Sequence, residues 1–211
     1  MVPEIFQIQD ISPLANLTNL TELDLPANHI TDISALAGLL NLKHLDLRGN
    51  QIDDISFLEK LVNLETLNVN RASITALTPL QNLTKLRDLS VGWIENGLPD
   101  ISVLANLRQL ERLWLASAKI SDVSILSDLT KLKNLHIGMN EITDISVLAE
   151  LKDLETLYLF ANKISDITAL EGLTELKELH IYGNPIDLDD PDTARIIEAL
   201  REQGTEVYDS I

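Results

Sequence analysis

The chain has no cysteine. A fold stapled by disulfides is therefore excluded, and so is any thiolate metal site or thiol nucleophile. Aromatic residues are scarce, at two Trp, three Tyr and three Phe in 211 residues, so the core must be aliphatic. Positive charge is also scarce. Sixteen Lys and Arg face 33 Asp and Glu, a net charge of −17. Nucleic acid and anionic membrane surfaces both need basic side chains to displace phosphate counterions, and this balance argues against either as a partner. Apolar runs are short, and none is long enough to span a membrane, so membrane insertion is not expected. Residues 1–4, Met-Val-Pro-Glu, lack the basic and apolar regions of a secretory leader. No Gly-rich phosphate loop is present.

What is abundant is leucine, and it is periodic. Leu20, Leu23, Leu25, Asn28, Ile30, Asp32, Ile33, Leu36 and Leu39 return as Leu42, Leu45, Leu47, Asn50, Ile52, Asp54, Ile55, Leu58 and Leu61, an interval of 22 residues. The pattern L-x-x-L-x-L-x-x-N at a fixed period between 20 and 29 marks a leucine-rich repeat. A half unit (Ile8, Asp10, Ile11, Ser12, Leu14, Leu17) precedes eight full units, which open at Leu20, Leu42, Leu64, Leu86, Leu110, Leu132, Leu154 and Leu176. Within a unit the first half alternates, giving a short strand with leucines inward. The second half steps by three, giving a 3₁₀ or single α turn. The expected fold is α/β: a right-handed leucine-rich repeat solenoid with a concave parallel sheet and short turns on its convex side. We expect an N-terminal half repeat or cap over 1–19, eight repeats over 20–187, and a C-terminal helix–strand cap over 188–211. In that cap Asp192 or Thr193 would be the helix N-cap, and Thr205–Tyr208 a last strand. At the other end only Ile5, Phe6 and Ile8 are available for closure, which points to sequence missing upstream or to an end used for self-association.

Two polar columns accompany the leucines. Asn28, Asn50, Asn140, Asn162 and Asn184 carry both a donor and an acceptor, so each can satisfy the inward turn of its own coil and of the next. Asp10, Asp32, Asp54, Asp100, Asp122, Asp144 and Asp166 are placed to cap the short turns. A ladder of calcium sites is the alternative reading of this column, although calcium requires six to eight oxygens.

Three consecutive units depart from the pattern. Ala72 and Ala118 stand where Asn is expected, and the unit between them is two residues longer. With Asn96 aligned to the ladder, the extra pair falls between strand and ladder as a bulge carrying Trp93 and Ile94 outward. Aromatics concentrate on the water-facing strand positions. Reading between the second and third leucines gives Asp24, Asp46, Asn68, Ser90, Trp114, His136, Tyr158 and His180. The position after the third leucine adds Phe160 and Tyr182, with Met139 at the end of its strand. Exposed aromatics of this kind mark binding surfaces. The candidate partner-binding residues are Trp93, Ile94, Trp114, His136, Tyr158, Phe160, His180 and Tyr182, flanked by Arg48, Arg71 and Arg112. His136 and His180 lie two strands apart, roughly 10 Å, too far to share one zinc ion. No nucleophile–base pair with an oxyanion site is apparent, so no catalytic residue, cofactor or metal is assigned and no enzymatic activity is expected.

The wording of the repeats resembles a known family. Asn-Leu-Thr-Asn-Leu (16–20), Asn-His-Ile-Thr-Asp-Ile-Ser (28–34), Asn-Glu-Ile-Thr-Asp-Ile-Ser (140–146) and Asn-Lys-Ile-Ser-Asp-Ile-Thr (162–168) are similar to the 22-residue repeats of bacterial internalins, leucine-rich cell-surface adhesins of pathogens. The resemblance spans roughly 8–187. It implies a protein ligand bound on the concave face and a secreted or cell-surface location. The helix–strand segment at 191–208 stands where internalins carry an immunoglobulin-like domain. The same repeat class occurs in a regulatory subunit of protein phosphatase 1, so an intracellular adaptor is an alternative. A spacing or scaffolding rod, monomeric or weakly associated end to end, and a carbohydrate-binding surface are the others.

Overall fold

Strands form wherever the alternating half of a repeat occurs. The computed structural model describes residues 7–98 and 100–210, and places in them nine strands of three residues each: Glu22–Asp24 (β1), His44–Asp46 (β2), Thr66–Asn68 (β3), Asp88–Ser90 (β4), Arg112–Trp114 (β5), Asn134–His136 (β6), Thr156–Tyr158 (β7), Glu178–His180 (β8) and Glu206–Tyr208 (β9). They make one parallel sheet in sequence order. Its register matches repeat to repeat, Leu45 beside Leu67 and Leu157 beside Leu179. Because strands, turns and leucines repeat at one interval, every leucine column runs unbroken through the stack. Leu36, Leu39, Leu45 and Leu47 are fully buried, and so are their counterparts Leu148, Leu151, Leu157 and Leu159. A single coil could not hide both of its apolar edges, so the core exists only as a property of the stack.

The stepping half of each repeat is a 3₁₀ turn, as in Ser34–Gly38 and Ser146–Glu150. In most repeats an aspartate two residues ahead caps it, whereas the turn Thr78–Leu80 has Ala76 at that place. The Oδ1 of Asp32 accepts the backbone N–H of Ser34 at 2.8 Å, and Asp54, Asp100, Asp122, Asp144 and Asp166 repeat the contact. That hydrogen bond holds the Asp32 carboxyl below the ordinary carboxylate value. Among the described residues no group of three His, Asp or Glu side chains is arranged to hold a metal ion.

The asparagine ladder reaches backward along the chain rather than forward to the next coil. Asn162 Nδ2 donates to Leu159 O of its own turn and to Ile137 O of the coil before, both at 2.9 Å. Its Oδ1 accepts from Ile142 N at 3.1 Å. Through Ala72, Ile94 and Ala118 the ladder is interrupted. Backbone bonds take over there: Ala72 N donates to Val69 O, and Leu98 N to Ala118 O.

The C-terminal helix begins two or three residues earlier than its side chains imply. The helix α1 runs Pro191–Glu202, and Asp190, not Asp192 or Thr193, caps it by accepting Thr193 N at 2.9 Å. Proline at the first helical position needs no N–H partner and its fixed φ already suits the helix, which explains the earlier start. Ile196, Ile197 and Leu200 are buried against the last coil. Ile5 and Phe6, expected to close the other end, lie outside the described residues, and Ile8 is exposed.

Candidate functional site: an aromatic row on the concave face

Each strand turns its middle residue inward, a leucine in β1 to β8 and Val207 in β9, so the residues on either side of it face the hollow of the sheet. From β5 onward one of those positions carries a ring in every strand. Trp114, His136, Tyr158, His180 and Tyr208 stack in succession with centroids 4.0, 4.9, 4.5 and 4.2 Å apart and planes within 25°. Strand spacing explains this. Parallel strands in register sit about 4.8 Å apart, close to the preferred separation of offset-stacked rings. A second, shorter row of Phe160 over Tyr182 stacks at 5.0 Å. It meets the first edge-on, with Phe160 5.4 Å from His136 and Tyr182 6.0 Å from His180.

The rings need room beside them, and small residues provide it. A methyl group on Gly138 would lie 2.9 Å from the Phe160 ring, and one on Gly92 2.9 Å from the Trp114 ring. Both glycines are there for close approach rather than for an unusual backbone angle.

His136 faces the hollow but is covered by its neighbours and only 8% exposed. Burial pushes its imidazole down to about 4, so it is neutral at pH 7 and serves as a spacer in the stack. Burial, reinforced by the hydrogen bond its hydroxyl donates to Glu178 Oε1 at 2.9 Å, pushes the Tyr158 phenol up to about 12. His180 Nε2 meets the same oxygen at 2.7 Å and is the main cause holding the Glu178 carboxyl low. Trp114, His136 and Tyr158 border an open groove of 530 Å³ whose other margin includes Asp88, Arg112, Asn134, Thr156 and Glu178.

Six of the expected site residues converge in the two ring rows: Trp114, His136, Tyr158, Phe160, His180 and Tyr182. Arg112 lies in the groove, but its guanidinium fork grips both oxygens of Asp88, and the charge is already matched. Arg48 sits apart on the strand-end of β2, 3.5 Å from Asp46. Trp93 and Arg71 form a separate cluster, the guanidinium 5.7 Å from the indole centroid. Trp93 shares a shallow depression with Met139 and Lys119. Both Trp93 and Arg71 belong to a column of left-handed residues, Ala27, Gly49, Arg71, Trp93, Ser117, Met139, Ala161 and Gly183, where the chain turns inward after each strand.

Ile94 corrects the expected bulge. It follows the left-handed residue at the ladder position and is 2% exposed, inside the core. The two extra residues therefore lie after the ladder, in the turn around Glu95 and Asn96, and Asn96 is exposed. Only Trp93 of the pair points outward. Tyr208 is the ring that repeat-by-repeat reading passed over. Glu206-Val207-Tyr208 copies Glu178-Leu179-His180 position for position, and β9 pairs with β8 in that register.

A family model described as leucine-rich repeat region matches residues 5–190. The chain belongs to the leucine-rich repeat family. Among solved structures, this leucine-rich repeat protein is similar to an internalin from Listeria monocytogenes, with 31% identity and a TM-score of 0.88 over 97% of its length. An internalin C2 from the same organism aligns over 93% of the chain, and 82% of its own, at 29% identity and a TM-score of 0.80. A Leptospira interrogans leucine-rich repeat protein shares the fold, with 24% identity and a TM-score of 0.84 over 95% of this chain and 52% of that one. The chain spans 60% of the length of the first internalin. No curated protein matches. The protein is internalin-like in repeat and in fold, and the fold is that of a protein-interaction module. Among the described residues no helix is long and apolar enough to cross a membrane.

Proposed function

We propose that the protein binds a protein partner through the C-terminal half of its concave face, with the ring row as the anchor. The observation that carries this reading is the row itself, which is bulky and placed where the fold demands nothing bulky. Strands β1 to β3 show that polar residues serve equally well at the same positions, with Asp24, Asp46 and Asn68 where β5 to β9 carry rings. Trp114 and Tyr208 remain 37% and 43% exposed, although each could have been a small polar residue at no cost to the core. Rings held in a fixed stack lose little conformational entropy on binding, which is why such residues dominate interface energetics. No catalytic role is assigned to the groove.

The test is affinity capture from the native source by the intact chain and by a Trp114→Ala/Tyr158→Ala double variant. Loss of two anchoring rings should weaken capture by about 100-fold or more, with the circular dichroism spectrum unchanged. Capture that survives the double substitution removes the reading.

A further inference from the structure

Where the ring row ends, beside the groove, two glutamates stand side by side with no basic residue between them among the described residues. Glu178 and Glu206 occupy paired positions of β8 and β9, about one strand spacing, 4.8 Å, apart. Like charges at such positions repel. Other acids of the sheet and its C-terminal edge are paired with bases: Asp88 with Arg112, Glu155 with Lys177, Asp209 with Arg201. Among the described residues neither Glu178 nor Glu206 meets a lysine or an arginine. Glu178 uses Oε1 for both Tyr158 and His180, and its Oε2 has no hydrogen-bond partner among the described residues. Glu206 accepts only the Tyr208 hydroxyl, at 3.0 Å. Beside them the Tyr208 ring ends the stack, with His180 against one face.

We infer that this end of the ring row takes the guanidinium of an arginine carried on a basic segment of the partner, set between the Glu178 and Glu206 carboxylates and against the Tyr208 ring. The inference rests on the concave-face reading above and specifies the chemistry of its partner. Arginine suits the place better than lysine. Its planar fork can address two carboxylates at once, and its flat face packs on a ring. The net charge of −17 would draw a basic segment toward the molecule before contact.

The probe is the blocked peptide Gly-Gly-Arg-Gly-Gly, titrated into the full ¹⁵N-labelled chain and followed by amide chemical shifts. Its citrulline counterpart keeps the shape and removes the charge. We expect shifts centred on residues 178–180 and 206–208, and at least tenfold weaker binding of the citrulline peptide. Glu178→Gln/Glu206→Gln should weaken the arginine peptide at least tenfold. Glu59→Gln/Glu150→Gln, an equal loss of charge on exposed positions of the convex turns, should change it less than twofold. Shifts spread over the acidic convex surface, equal losses in the two doubles, or equal binding of citrulline would each overturn the inference. Partner capture separates the two readings. Capture lost with Trp114→Ala/Tyr158→Ala but kept with Glu178→Gln/Glu206→Gln leaves the concave face standing and removes the arginine. Capture that survives both removes both.

Discussion

Strands β2 and β7 are alike from within and unlike from without. Leu45 and Leu47 of one coil and Leu157 and Leu159 of the other are all fully buried. On the hollow side, Asp46 and Arg48 of the first correspond to Tyr158 and Phe160 of the second. The polar half gives its outward positions to an ion pair whose arginine lies in solvent, and the ring half to stacked side chains that bury one another. The stack is therefore set by the inward columns alone, and the outward columns are free to vary from coil to coil.

This contrast can be broken at four points. The deepest is the ladder on the ring side. Asn162→Ala removes two donated bonds and one accepted bond from a side chain that is 7% exposed. Leaving those backbone groups unpaired should cost roughly 3 kcal/mol, read by denaturant unfolding. Ala72 and Ala118, in coils that evolved other bonds, show that alanine itself is acceptable where the backbone has adjusted. Second is acid. His136 titrates at about 4 when folded against an ordinary 6.5, so between those values the unfolded chain binds more protons. Its contribution is complete above pH 6.5 and is lost as pH falls toward 4, a drop of roughly 2 kcal/mol once the solvent reaching the row is allowed for. His136→Gln should flatten that part of the stability–pH profile. The aspartate caps, whose carboxyls are held low, act in a different window. They stabilise above their unfolded value near 3.8 and are lost only below it. Third is Gly138→Ala, which drives a methyl group against Phe160 and should cost about 1–2 kcal/mol, visible as a shift in Tm and in the near-ultraviolet dichroism of the rings. The least is Arg48→Ala in the polar half, within about 0.5 kcal/mol, because the Arg48 side chain lies largely in solvent and meets Asp46 only at 3.5 Å. A large effect there would erase the distinction between the two halves.

The inward columns were legible because they repeat, and a leucine that returns at one interval can serve only one purpose. Side-chain direction was legible for the same reason, since period two places Trp114 and Tyr158 on the hollow side without any knowledge of contacts. Degree of cover was not. That His136 is buried depends on Trp114 and Tyr158 closing over it from both sides, a property of three coils at once. Ile94 was misplaced because the long unit was aligned on the letter Asn. Counting three residues from Val91 would have set it in the ladder, as Asn50 follows Leu47. Tyr208 escaped notice because it lies beyond the last leucine pattern, though Glu-Val-Tyr repeats the preceding strand. The pairing of Arg112 with Asp88 joins neighbouring strands across the insertion, where the regular interval fails.

Since each ring advances the row by one strand step, the extent of the surface is a matter of counting. A duplicated coil inserted within β5–β8 would add one more step, and its new neighbours would meet it through contacts already present on either side. Reach in this molecule can thus grow or shrink by whole increments, through gain or loss of a unit of sequence, without any existing rung being reshaped.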